Sequence, residues 1–136
     1  MKFPYKRFAR GAFPPDIRPI ITIKLSHNDQ SIRQEMLVDS GADLCLFDAE
    51  IGEALGIPVT SGEEKTLLGA TSAKPQPFYL HPVTINVGGW DYAIEAGFVP
   101  NFAPTYGIVG QVGFFSLFVV KFDYQKEEVE IRRKDQ

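Results

Sequence analysis

At 136 residues the chain suits a single domain, long enough to bury a real core and too short for two full lobes of most enzyme folds. Its 44% hydrophobic and 23% charged content is that of a soluble globular protein, and a net charge of -3 makes no general appeal to nucleic acid. Cys45, the single cysteine, excludes an intrachain disulfide, and with only His27 and His81 beside it there is no zinc-ligand spacing.

No apolar run reaches the length of a membrane span, and the opening "MKFPYKRFARGAF" has no continuous apolar stretch of the kind a secretory signal needs. The expected location is therefore the cytoplasm. The same opening carries Lys2, Lys6, Arg7 and Arg10 among aromatics, +4 against -7 for the rest of the chain. Residues 1–17 read as an arm, mobile or embracing a partner, ahead of a domain over 18–133 and a tail over 134–136.

After the proline-rich "FPPDIRP", "IITIKL" alternates Ile21, Ile23 and Leu25 with polar residues, as a half-buried strand does. "SHNDQS" has turn composition and "IRQEMLV" resumes the alternation, so Ile20 to Val38 predicts a hairpin that delivers the chain to Asp39. Past Asp39-Ser40-Gly41, "LCLF" is apolar on both faces, as in a fully buried strand. Asp48 can then cap a short helix whose apolar stripe is Ile51, Ala54 and Leu55 and which Gly56 and Pro58 stop.

"TSGEEK" reads as a polar connector, followed by a proline-flanked loop containing Gly69. Val83, Ile85 and Val87 share a strand face, Gly88-Gly89 supplies a two-residue turn, and Trp90, Tyr92, Ile94, Ala96 and Phe98 alternate along the return strand as a core face. "PNFAPTY" is a loop, "GIVG" a short apolar element, "QVGFFSL" one helical turn, and "FVVKFDY" with "EVEIRRK" a last hairpin. The sum is a mostly β domain, with strands spaced as in a small closed or nearly closed barrel and one or two short helices.

A carboxylate set among apolar residues is costly unless hydrogen bonds or a shared proton support it. Asp, Ser and Gly are also favoured turn residues, and a plain turn is the alternative reading of the triplet. As a site, Asp39 can serve as general base toward water, but attack on an amide also needs an acid to polarise the carbonyl. A second carboxylate sharing one proton with the first meets both needs.

"LVDSGADLCLF", "AEIGEALGIP", "PVTINVGGWDYAIEAGFVP" and "GIVGQVGFFSLFVVKFDY", in that order and at this spacing, resemble the retropepsin-like aspartic proteases over most of Ile20 to Ile131. The resemblance implies a single-lobed acid-protease barrel. It makes Asp39 the catalytic aspartate, Ser40 the hydroxyl residue that bonds across a two-fold axis, and Gly41 the position whose backbone approaches the carboxylates. Ala42 and Asp43 match loop residues that bind substrate backbone and brace the site. Ile108, Val109 and Gly110 match the segment packed beside that loop, with Leu37, Val38, Leu44 and Leu46 anchoring it in the core. The family's hairpin flap falls at Gly69 to Lys74, giving Gly69, Ala70 and Thr71 as further substrate contacts, although a surface turn explains that segment equally.

One triplet per chain implies a homodimer in which two Asp39 carboxylates activate a water against a peptide bond, with no cofactor and no metal. Gln111 departs from the family, which often carries Arg there to pair with the acid matching Asp43. The brace is then neutral, or it comes from Arg7, Arg10 or Arg18 of a partner's arm. This departure and the glycine-poor flap leave open a catalytically silent dimerisation or protein-binding module on the same fold. An unrelated small barrel using its basic arm to bind a ligand or a surface is the third reading. His81 has no partner identifiable from sequence and reads as structural.

Overall fold

The computed structural model describes residues 1–8, 16–67 and 74–134. Its centre is a closed six-stranded barrel. In chain order the barrel strands are β4 (Ile20–His27), β5 (Gln30–Val38), β6 (Leu46–Asp48), β8 (Gln76–Val87), β9 (Trp90–Val99) and β10 (Gly107–Val109), which pair in the sequence β4-β5-β10-β6-β9-β8 and close through β8 on β4. A further strand, β7 (Glu63–Leu67), extends the sheet beyond β8.

Both expected hairpins are present. β4 and β5 pair antiparallel from Ile20↔Leu37 to His27↔Gln30, turning at Asn28, whose φ is 52°. β8 and β9 pair from Tyr79↔Phe98 to Val87↔Trp90, and their turn sets Gly88 and Gly89 at φ 62° and 92°, a conformation that side chains with a Cβ resist. Pro82 sits inside β8 but outside the Lys24–Ser26 stretch of β4 that pairs on the other side, so its missing N–H interrupts no bond there.

The alternating residues meet inside the barrel: Ile21, Ile23, Leu25, Met36, Val83, Ile85, Val87, Ala96 and Phe98 are buried with Phe47 and Phe114. Phe47 stacks on Phe98 at 5.5 Å between ring centres. Trp90 departs from the expected core face. It lies at the hairpin mouth, 51% exposed, with the Arg133 guanidinium 3.9 Å above its ring. The alternation holds, but the first residue of the strand lies beyond the packed layer.

The single α-helix, α1 (Ala49–Ala54), starts where Asp48 Oδ1 accepts the Glu50 N–H at 3.0 Å and ends before Gly56 at φ 78°. Its buried face is Ala49, Gly52 and Leu55, while Ala54 is exposed and Ile51 half-buried, a correction to the expected stripe. Gly52 takes the inner place because a Cβ there would stand 2.8 Å from both Phe98 and Val59.

The "TSGEEK" stretch is no connector. It forms a 3-10 turn at Val59–Ser61 and then β7, paired with β8 from Glu63↔Leu80 to Leu67↔Gln76. "QVGFFSL" is a run of wide turns, with Phe115 and Ser116 N–H groups reaching back five residues to the Gly110 and Gln111 carbonyls.

A second sheet carries β1 (Lys2–Pro4), β12 (Glu128–Arg133) and β11 (Phe118–Asp123), in that order. The first residues of the arm therefore add to the chain's own last hairpin, where Met1 and Ile131 exchange backbone bonds of 3.0 and 2.7 Å. The remaining strands, β2 (Lys6–Phe8) and β3 (Asp16–Arg18), pair only with each other.

Candidate active site

Residues 39 to 43 join the end of β5 to the short approach to β6, and β10 lies between those two strands. It runs parallel to β5 (Ile108↔Leu37) and antiparallel to β6 (Ile108↔Leu46). The loop is therefore held over a strand that separates its own two ends.

Backbone bonds fix it on both sides. The Asp39 N–H donates to Val109 O at 3.0 Å, and Val38 N–H to Pro19 O at 2.9 Å. On the far side Gln111 N–H donates to Ala42 O at 2.8 Å and Val112 N–H to Asp43 O at 2.9 Å, while Leu44 bridges Val112. Within the loop Ala42 N–H donates to Asp39 O at 3.2 Å, and Asp39 Oδ1 accepts the Gly41 N–H at 2.9 Å. One carboxylate oxygen is thus tied to the loop's own backbone, which fixes the orientation of the acid.

Gly110 makes this crossing possible. A Cβ there would stand 2.6 Å from Ala42 O and would also collide with Leu44 O, both backbone atoms that cannot turn aside. The apolar anchors divide. Val38 and Leu46 are buried, while Leu37 and Leu44 are half-buried. Beneath the loop Cys45 is fully buried, its thiol 3.7 Å from Val112 O, and burial pushes that thiol up from 9.0 to about 11 despite the hydrogen-bonding backbone at Gly110.

Ser40, Gly41 and Asp43 are exposed and Asp39 and Ala42 half-buried, so a firmly held loop presents its acid to solvent. Among the described residues neither Asp39 nor Asp43 takes part in an ion pair. Gln111 replaces a charged brace. Its Nε2 donates to Ser40 O at 2.6 Å, so the neutral side chain holds the loop through a carbonyl, not through Asp43. Arg7 is engaged within its own chain by Glu127, at 3.0 and 3.2 Å, and Arg10 lies outside the described residues.

Beside the loop a groove of about 350 Å³ is lined by Gly41, Ala42, Asp43, Leu44, Leu46, Thr66, Leu67 and Phe78. The structure thus brings the loop residues Gly41, Ala42 and Asp43 onto one cleft. Gly69, Ala70 and Thr71 fall outside the described residues, as does the proposed flap apart from Lys74. Thr66, Leu67 and Phe78 were missed as cleft residues. The signal for them was the hydrophobic Leu67-Leu68 pair after a polar run, which is too short to separate a cleft wall from a core strand. Among the described residues no cluster of three or more His, Cys, Asp or Glu side chains could hold a metal, and no helix is long and apolar enough to cross a membrane.

The family profile described as Aspartyl protease matches residues 23–112, a span that contains the whole of this loop and its crossing strand. The chain belongs to the aspartyl protease family. The crystal structure of a retropepsin-like aspartic protease from Rickettsia conorii superposes with a TM-score of 0.61 at 14% identity, covering 96% of this chain and 89% of that one. The EIAV protease complexed with the inhibitor HBY-793 aligns at 20% identity over 74% of this chain and 88% of that one, with a TM-score of 0.47. No curated protein matches the chain in sequence. The fold of this aspartyl protease family member is retropepsin-like, as the resemblance implied.

Proposed function

We propose that this protein is an aspartic endopeptidase whose active site forms between two copies of the chain. The observation that carries the reading is the Asp39 loop: an intact Asp-Ser-Gly, tied down at both ends, with its acid open to solvent beside an apolar groove. Each chain supplies one such acid, and one carboxylate cannot both activate water and polarise the carbonyl.

In the proposed reaction the two Asp39 side chains share a proton, because adjacent carboxylates cannot both ionise. The ionised member takes a proton from water as it attacks the peptide carbonyl, and the protonated member donates to the carbonyl oxygen. Collapse of the tetrahedral species then delivers a proton to the leaving amine. The pair titrates as a unit. Ala42 and Asp43 would meet substrate backbone, and the groove formed by Leu44, Leu46, Leu67 and Phe78 suits an apolar side chain of the peptide.

Asp39→Asn tests the reading with little risk to the fold, because the amide oxygen can still accept the Gly41 N–H. The variant is expected to keep the unfolding midpoint and to lose peptide cleavage. Undiminished cleavage would overturn the mechanism. A variant and parent that are equally inert toward every peptide tried would favour a silent binding module on this fold.

A further inference from the structure

In the second sheet β11 pairs with β12 on one side, and among the described residues nothing pairs on its other side. The apolar face of the sheet breaks off at this edge. Val129 and Ile131 of β12 are fully buried, yet the residues directly opposite them on the same face, Phe122 and Val120, are 42% exposed and half-buried. Tyr124, next on that face, is 68% exposed. A core side chain left half in water at a strand's open edge marks a face that another strand can continue.

The charges of β11 select the partner. When a strand meets a copy of itself antiparallel, with each residue kept on its own face of the sheet, the pairing must centre on a residue. Centring on Lys121 sets lysine against lysine. Centring on Val120 sets Lys121 against Val119 and leaves both charges of the strand unmatched. Centring on Phe122 sets each Lys121 opposite the partner's Asp123, sets Phe122 opposite the partner's Phe122, and sets Val120 opposite the partner's Tyr124. Opposite charges facing directly across a ladder stabilise it, and like charges oppose it. Within its own chain Lys121 lies opposite Glu130, while Lys2 already stands 4.0 Å from that carboxylate.

From this pattern we infer that the open edge of β11 is the contact between two copies of the chain, paired antiparallel about Phe122 and clasped by two Lys121–Asp123 pairs. The result is one continuous six-stranded sheet, β1-β12-β11 and its symmetry mate. The inference rests on the two-copy reading above and adds where the copies join and in what register. Each Lys121 and each Asp123 is used once, so the charge pattern is satisfied only in a closed pair and offers no edge for further growth.

Charge reversal tests the register. By sedimentation equilibrium Lys121→Glu alone, and Asp123→Lys alone, should each weaken the dimer about tenfold or more by setting like charges face to face. The double variant should return the dissociation constant to within about threefold of the parent, because the pairs re-form with signs exchanged. Phe122→Cys, oxidised under native conditions, should give a disulfide-linked dimer on a denaturing gel, since directly opposed strand positions lie within disulfide reach and Cys45 is buried. Single reversals without effect, a double variant no better than the singles, or a wholly monomeric parent would overturn the inference. Peptide hydrolysis by a dimer indifferent to the reversals would sink the β11 contact and leave the protease reading standing. A dimer that responds as described but cleaves nothing would do the reverse.

Discussion

Gln111 Nε2 donates to the carbonyl oxygen of Ser40 at 2.6 Å, joining two residues 71 positions apart on either side of the loop that carries Asp39. The same glutamine also uses its backbone N–H on Ala42 O, so one residue holds the loop at two points. The link is made of neutral groups, and it holds the loop in place without adding charge beside the acid.

Gln111→Ala removes the side-chain half of that hold. A hydrogen bond of this kind contributes about 1 kcal/mol, so kcat is expected to fall about three- to tenfold while the unfolding midpoint moves little, Gln111 being exposed. Steady-state kinetics with a fluorogenic peptide, read beside a thermal melt, checks it. Unchanged kcat would mean that the backbone bonds suffice.

Gly110→Ala acts on the crossing itself. The new methyl meets the Ala42 and Leu44 carbonyls, and neither can move without breaking the bonds that hold the loop. A loss on the order of 3 kcal/mol in urea-determined stability is expected. A loss below about 0.5 kcal/mol, the range of ordinary surface substitutions, would show that the crossing is looser than its distances imply.

Cys45 gives a pH signature. Its thiol is raised from 9.0 to about 11 in the fold, so above pH 9 the unfolded chain gives up this proton and the folded one keeps it. The stabilisation is whole below about pH 9 and is lost as pH climbs toward 11, on the order of 2–3 kcal/mol in all. Cys45→Ala should flatten that part of the stability profile. Tyr5 and Tyr79 are also raised, Tyr5 by burial and then Asp123, Tyr79 by burial and then Glu64, but they remain in both proteins and cancel in the difference. Parallel profiles would contradict the burial account.

Most of the barrel was legible because its strands bury one face, and a period of two records that directly, as in Ile21, Ile23 and Leu25 or Val83, Ile85 and Val87. β7 was not legible. Four of its five residues, Glu63 to Thr66, are exposed, so its pairing with β8 leaves no hydrophobic period to read. The face of α1 was misplaced because Gly52 counts as polar-neutral in a sequence yet is the residue that fits against Phe98. At the site, the Asp39 triplet and its crossing segment could be read from residue types. The hold of Gln111 on Ser40 could not, because it depends on a carbonyl direction that only the folded loop defines. The sequence suggested a neutral brace as one option, aimed at Asp43, and the structure redirects it.

The account turns on each catalytic centre needing an acid from two chains. Parent and Asp39→Asn chains, unfolded together in equal amounts and refolded so that they assort at random, should show about one quarter of the parent's peptidase activity per total protein, following the square of the parent fraction. About one half, following that fraction linearly, would mean that each chain works alone and would contradict the paired-acid mechanism.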